Sequence, residues 1–281
     1  MAETLVVNEI YLSLQGESTF AGLPCIFVRL TACDLRCSYC DTAYAFSEGR
    51  KMEMGEVLSQ VRGLAQPFTE RSKVQSPSSF AKASADEKSN VEPRESTVRS
   101  PQSTATDGQR SLVLPLVELT GGEPLLQKNS LSLMKMLCDD GFTVLLETSG
   151  AHDISRVDFR VRRIMDLKCP SSGESARNRS ENLAHLKPTD EIKFVIGTRE
   201  DYEWAKQQIA EHNLAASCPL LFSWVHPLSA SQQDKSLKPV PAGQTAISRQ
   251  ELAEKIIADA LPVRFQAQLH KIIWPAEKRG V

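Results

Sequence analysis

Short continuous apolar runs, separated by segments of helical periodicity, constrain the fold of this chain more than any other feature. The runs are LVVNEIY (5–11), CIFVRLT (25–31), LVLPLVELT (112–120), FTVLLET (142–148), VRRIMDLK (161–168), EIKFVIG (191–197) and PLLFSWV (219–225). Strands buried on both faces read this way. Between them, MGEVLSQVRGLA (54–65) sets Val57, Leu58, Val61 and Leu64 on one helical face, and LLQKNSLSLMKMLCDDG (125–141) reads as a helix stopped by Gly141. Thr198 with Asp201, and Ser248 with Glu251, have the spacing of helix capping boxes. The pattern predicts an α/β fold of βα units around a buried parallel sheet. Such a sheet carries its chemistry on the loops at the carboxyl ends of its strands. Pro115 predicts an edge or a bulge for its strand.

With 41% hydrophobic and 24% charged residues and a formal net charge of −2, the chain has a globular composition. It has no single-sign field that would argue for direct nucleic-acid binding or an anionic membrane surface. The opening MAETLVVNEIYL lacks the basic region and long apolar run of a signal peptide, and no apolar run is long enough for a bilayer. These features predict a cytoplasmic protein with reduced thiols. Seven cysteines, an odd number, argue against a disulfide framework.

The 281 residues read as a single domain with one interruption. From about Thr69 to Gly108 the chain is rich in Ser, Pro, Lys and Glu, with Phe80 its only aromatic residue. A segment that buries so little apolar surface cannot offset its ordering entropy, so a disordered insertion is expected there.

Three cysteines crowd into TACDLRCSYCDTAY (31–44), spaced C-x3-C-x2-C just after a strand. Three thiolates on one loop can converge on a metal centre. Zinc would need a fourth ligand, from Cys25, Cys138, Cys169, Cys218 or a histidine. A [4Fe–4S] cluster held by three thiolates would keep one iron open to a small molecule. Two further motifs end strands. In LTGGEP (119–124), Gly121 and Gly122 permit close backbone approach, and Glu123 could accept from an ammonium group. ETSG (147–150) offers polar groups at the next strand end. Arg29, a charge inside an apolar strand, requires an anion beside it.

C-x3-C-x2-C with an aromatic residue before the last cysteine resembles the signature of radical S-adenosylmethionine enzymes, and LTGGEP resembles their glycine-rich turn. Within that superfamily the chain resembles the 7-carboxy-7-deazaguanine synthase family. The resemblance rests on EIYLSLQGES (9–18), PCIFVRLTACDLRCSYCDTAY (24–44), LTGGEP, LLETSG, DLKCPSSGE (166–174), EIKFVIG and VRFQAQLHKIIWPAEKRGV (263–281), in the family's order. It covers nearly the whole chain outside the interruption.

The resemblance implies a modified, incomplete (βα) barrel and a homodimer. It implies a [4Fe–4S] cluster on Cys33, Cys37 and Cys40, and S-adenosyl-L-methionine beside Tyr39, Cys40, Asp41, Gly122, Glu147, Thr148, Ser149, Asp166, Leu167, Lys168 and Cys169. It implies Mg2+ on Thr42, a hard oxygen donor. The implied substrate, 6-carboxy-5,6,7,8-tetrahydropterin, would meet Ser13, Leu14, Gln15, Arg29, Thr120 and Pro275. The implied reaction is a radical ring contraction to 7-carboxy-7-deazaguanine with loss of ammonia, in queuosine and deazapurine biosynthesis. A flavodoxin- or ferredoxin-like protein would supply electrons. No acid or base for the proton steps is singled out, and His270 and Trp274 read as packing residues. Two other readings use the same cysteines: a glycyl-radical activase, and a zinc-binding or redox-sensing module. Many activases carry a cysteine-rich insert, whereas the interruption here has no cysteine. The zinc module leaves LTGGEP and ETSG unexplained.

Overall fold

A computed structural model describes residues 3–74 and 115–281. Its centre is a nine-stranded sheet. The strands are β1 (Thr4–Leu14), β2 (Pro24–Leu30), β3 (Arg50–Glu53), β4 (Leu116–Gly121), β5 (Val144–Thr148), β6 (Arg162–Asp166), β7 (Glu191–Ile196), β8 (Leu220–Trp224) and β9 (Arg264–Gln266). They are ordered β3-β1-β2-β4-β5-β6-β7-β8-β9. From β2 to β9 every neighbouring pair is parallel, while β1 is antiparallel to both β2 and β3. The sheet has two ends and does not close on itself, as an incomplete barrel requires.

The two faces of the sheet differ in chemistry because side chains alternate along each strand. One face carries Val7, Ile26, Val28, Val117, Leu119, Val144, Leu146, Ile192, Phe194 and Phe222 into the main core. The helices α1 (Met54–Val74), α2 (Asn129–Asp139), α3 (Arg199–Glu211) and α4 (Arg249–Ala258) supply apolar residues to that core, among them Val57, Leu133, Tyr202 and Leu252. The opposite face is apolar only at the amino ends of the parallel strands. There Cys25, Phe27, Leu116, Leu145 and Ile164 form a second cluster with Tyr11 and Phe20. Toward the carboxyl ends this interior face becomes polar, with Glu118, Thr120, Glu147, Asp166, Lys193 and Ser223 on it. The loop after β1 runs across this interior. Thr19 donates from its backbone N to Glu191 Oε1 at 3.0 Å, and Ser223 Oγ donates to Glu17 Oε1 at 2.5 Å.

Both capping sites form. Thr198 Oγ1 accepts from Asp201 N while Asp201 accepts from Thr198 N, and Ser248 Oγ accepts from Glu251 N. Other expectations need correction. Pro115 stands just ahead of β4, which is an internal strand and not an edge. Helix α1 continues past residue 65, through Pro67, so residues 69–74 of the expected insertion are helical. Residues 75–108 of it lie outside the described residues. The second helix begins at Asn129, after a separate single turn at Pro124–Leu126. Strand β3 is polar apart from its buried Met52, and β9 has three residues, so neither shows an apolar run. Among the described residues no helix is long and apolar enough to cross a membrane.

A buried ionic network ties β6 to the turn before β7. Asp190, fully buried, accepts from Arg163 Nε at 2.8 Å, from Arg163 N at 2.9 Å and from Lys187 Nζ at 2.8 Å. Removing one partner of a buried pair leaves the other charge uncompensated. Asp190→Ala is therefore expected to lower the free energy of unfolding by about 3–5 kcal/mol, read from urea titration by circular dichroism. A change below about 1 kcal/mol would show that Arg163 finds water instead.

A candidate active site at the carboxyl ends of the strands

A cavity of about 210 Å³ opens at the carboxyl ends of the parallel strands. Its wall begins with the loop after β2, which contributes Cys33, Cys37, Tyr39, Cys40, Asp41 and Thr42. That loop is held from two sides. On one side Ser38 N donates to Ser172 O at 3.1 Å, Ser38 Oγ to Ser171 O at 2.6 Å, and Arg36 N to Glu174 Oε1 at 2.7 Å. These bonds anchor it to the segment after β6. On the other side Glu123 N donates to Ala32 O at 2.8 Å, and Gly122 N to Leu30 O at 3.0 Å. A Cβ on Gly122 would lie 1.9 Å from Ala32 O, so no other residue fits there.

The three loop cysteines line this one cavity. The remaining four are placed elsewhere. Cys25 lies in the interior apolar cluster, and Cys138, Cys169 and Cys218 belong to the main core. A fourth thiolate for a closed zinc site therefore does not come from them. Burial pushes Cys33 up to about 11 and Cys40 up to about 12, and raises Cys37 as well. Ligation to a metal centre must displace a proton from each.

The structure brings together Tyr39, Cys40, Asp41, Thr42, Arg29, Thr120, Gly122, Glu147, Thr148, Ser149, Asp166 and Lys168 around the cavity. Asp166 Oδ2 accepts from Lys168 Nζ at 2.6 Å, whereas Asp166 Oδ1 is buried without a partner among the described residues. That orphaned acceptor fits a ligand hydroxyl or amine. Burial alone would lower Lys168, but Asp166 beside it holds it above the ordinary lysine value. The Tyr39 hydroxyl is likewise buried and unpartnered among the described residues. The donor set, the glycine cradle and the orphaned acceptor together fit an iron–sulfur centre with a nucleoside-bearing amino acid beside it.

Some expected contacts are not made. Glu123 does not face a ligand. Its carboxylate accepts from Leu125 N at 3.0 Å, Thr148 Oγ1 at 2.9 Å and Ser149 N at 2.7 Å, and so fixes the ETSG turn. Leu167 and Cys169 turn into the core, because strand alternation continues from Asp166 and only Asp166 and Lys168 point inward. Ser13 and Leu14 sit opposite Cys25 and Pro24, at the amino end of β2, and do not line the cavity. Gln15 does not line it either. Its Nε2 donates to Glu118 Oε2 and its Oε1 accepts from Glu17 N at 3.2 Å. Arg29 has its anion within the protein: Nε donates to Glu9 Oε1 at 2.7 Å and Nη2 to Tyr11 Oη at 2.8 Å. Pro275 lines neither this cavity nor the adjoining one, of about 400 Å³, whose wall includes Ala276–Val281.

Other lining residues escape sequence reasoning. Glu17, Lys193, His226, Gln268, His270 and Lys271 all line the cavity, and His270 also packs against Gly16. Lys193 Nζ bridges Glu147 Oε1 and Glu17 Oε2. Lys271 Nζ reaches Asp41 Oδ2 at 2.5 Å, and Thr42 Oγ1 donates to Asp41 Oδ1 at 2.8 Å. Burial pushes Asp41 up, but the Lys271 ammonium outweighs it and holds the carboxyl well below the usual range. The signal for Glu17 is its place in QGES. That for Lys193 is a charge inside the apolar run EIKFVIG.

The interior carboxylates are unequal. Burial raises Glu147, yet Lys193 outweighs this and holds it at about 2. Glu118 is raised to about 8, first by burial and then by Glu147. A carboxyl raised in the folded state binds its proton more tightly there, so stability falls as pH rises from about 4.5 to about 8. Glu118→Gln cannot ionise. Its stability relative to the parent chain should therefore climb across that interval in urea melts at a series of pH values. A difference that stayed constant with pH would contradict the raised value.

The chain is 38% identical over 276 residues to 7-carboxy-7-deazaguanine synthase of Koribacter versatilis, spanning 98% of this chain and 99% of that one. It is 37% identical over 280 residues to 7-carboxy-7-deazaguanine synthase of Chlorobaculum tepidum, spanning 99% and 97%. Among solved structures it resembles QueE from Escherichia coli, with a TM-score of 0.57 over 94% of each chain and 20% identity, a likeness of fold. No protein-family model matches the chain.

Proposed function

The chain belongs to the 7-carboxy-7-deazaguanine synthase family, and from that premise we propose how its cavity works. The reaction is the conversion of 6-carboxy-5,6,7,8-tetrahydropterin to 7-carboxy-7-deazaguanine with loss of ammonia. The observation that carries this reading is the convergence of Cys33, Cys37, Cys40, Thr42, Gly122 and Asp166 on one cavity. A [4Fe–4S] cluster would be held by Cys33, Cys37 and Cys40, and together with S-adenosyl-L-methionine it would supply the hydrogen-abstracting radical chemistry.

The chain's own groups bind, orient and exclude water. Gly122 would let the backbone approach the methionyl amino group, and Asp166 Oδ1, buried without a partner among the described residues, would accept from the nucleoside side of the cofactor. Lys168 compensates the charge of Asp166. The Thr148 hydroxyl and the Ser149 amide are spent on Glu123, so that turn is a rigid wall more than a donor pair. Arg29 keeps the N–H donors of Nη1 beyond those given to Glu9 and Tyr11, and these suit a substrate carboxylate. Thr120 is held by Glu147 at 2.9 Å.

Thr42 suits magnesium for a specific reason. Its proton is given to Asp41, so both oxygen lone pairs remain for a cation. A hydrogen bond to a carboxylate also raises the basicity of a ligating group. A homodimer and an external flavodoxin- or ferredoxin-like reductant are carried over from the family.

The test is anaerobic reconstitution with iron and sulfide, followed by S-adenosyl-L-methionine, reductant, magnesium and the carboxytetrahydropterin, with mass detection. The expected product is 7-carboxy-7-deazaguanine. Cofactor cleavage without consumption of the pterin would overturn the reading. Cys33→Ala, Cys37→Ala and Cys40→Ala are each expected to lose bound iron and acid-labile sulfide, whereas Cys138→Ala and Cys218→Ala keep both. In Thr42→Val the stimulation of product formation by magnesium should disappear. An unchanged magnesium titration would remove Thr42 as the ligand.

A further inference from the structure

Five carboxylates stand on the interior of the barrel: Glu17, Glu118, Glu147, Asp166 and Glu191, the last of which accepts from the backbone N and hydroxyl of Thr19. Three others are committed to lysines. Glu17 pairs with Lys193 and accepts from Ser223, Glu147 pairs with Lys193 and accepts from Thr120, and Asp166 pairs with Lys168. Glu118 differs. It is 3% exposed, and among the described residues it is in no ion pair, with Gln15 Nε2 as its side-chain hydrogen-bond partner. A buried carboxyl so poorly compensated calls for an explanation.

Its position supplies one. Glu118 shares the interior face with Thr120, whose strand register pairs it with Arg29, and both of those residues line the cavity. Glu118 lies two residues, or about 6.6 Å, deeper along β4. Its register partners on the neighbouring strands, Leu145 and Phe27, lie level with it on the same face and belong to the apolar floor. Glu118 thus stands in the floor layer, one layer below Thr120 and Arg29, and is not itself among the residues that line the cavity. A ligand whose carboxylate is held at the mouth by Arg29 and Thr42 would send its opposite end toward Glu118.

We propose that Glu118 selects the substrate by its pyrimidine end, its carboxylate accepting from the ring N–H and the adjacent exocyclic amine of the aminopyrimidinone. The inference rests on the substrate reading given above. An N–C–N edge with two parallel donors matches a carboxylate as a guanidinium does. Two carboxylate oxygens offer about four acceptor sites, so Gln15 need not leave for the edge to bind. Burial and Glu147 push Glu118 up to about 8, and two ligand N–H donors supply the stabilisation that the protein withholds.

The test compares the reconstituted parent enzyme with E118Q, using the carboxytetrahydropterin and an analogue with hydrogen in place of the exocyclic amine. Loss of a hydrogen bond to a charged group raises KM for the pterin in E118Q on the order of 10- to 100-fold, with a smaller change in kcat. The parent enzyme discriminates against the analogue by a similar factor, and E118Q loses that discrimination. Iron content checks that the variant is folded. If E118Q does not fold, the parent enzyme alone decides: equal kcat/KM for pterin and analogue would overturn the assignment. An active parent enzyme beside an E118Q with unchanged KM would overturn this assignment and leave the function standing. A parent enzyme that cleaves its cofactor but turns over no pterin would overturn both.

Discussion

The approach of the turn after β4 to the loop after β2 is the contact on which the site depends. Glu123 N and Gly122 N donate to the carbonyls of Ala32 and Leu30, and a side chain on Gly122 would collide with Ala32. Ala32 itself has φ of +80°, a strained value for a residue with a Cβ, immediately before Cys33. The strain is held by bonds on both sides: Ala32 N donates to Ala45 O, and Ala32 O accepts from Glu123 N. The same Glu123 then reaches across with its carboxylate to fix Thr148 and Ser149. One residue therefore sets the relative positions of three strand-end loops. Neither a cysteine motif nor a glycine turn alone would place a cluster beside a nucleoside pocket.

The division of labour between the two faces of the sheet explains how so many charges are tolerated inside. The outward face buries aliphatic and aromatic residues against the helices, which is where the hydrophobic contribution to stability lies. The inward face concentrates its apolar residues at the amino ends and its charges at the carboxyl ends. Pairing keeps most of those charges inexpensive. Lys193 serves two carboxylates, and Arg29 is met by Glu9 and Tyr11.

Most of the sheet was legible because continuous apolar runs of five to seven residues have few alternatives to buried strands. β3 and β9 were not, since an edge strand such as Arg50–Glu53 buries one side chain, and Arg264–Gln266 is too short to show a period. The cysteines, Gly122, Asp166 and Lys168 were found from motifs, and the cavity gathers them. The departures share one physical origin. Gln15 and Glu123 are polar and well placed for a ligand, but sequence cannot show that Glu118 and Thr148 already engage them, whereas Arg29 meets Glu9 and still lines the cavity. Leu167 and Cys169 were included as neighbours of true lining residues. Strand alternation, visible in DLKC itself, assigns them to the other face. Lys271 was missed because its partner Asp41 is separated from it by most of the chain.

That separation has a consequence for how the protein is made. Every other wall of the cavity is built by residues up to His226, while Gln268, His270 and Lys271 close the remaining side. During synthesis the cysteine loop is complete long before its last neighbours leave the ribosome. Until they do, Asp41 lacks the ammonium that stabilises its charge, and the packing of His270 against Gly16 does not exist. The side formed by Gln268, His270 and Lys271 therefore joins the cysteine loop last in synthesis.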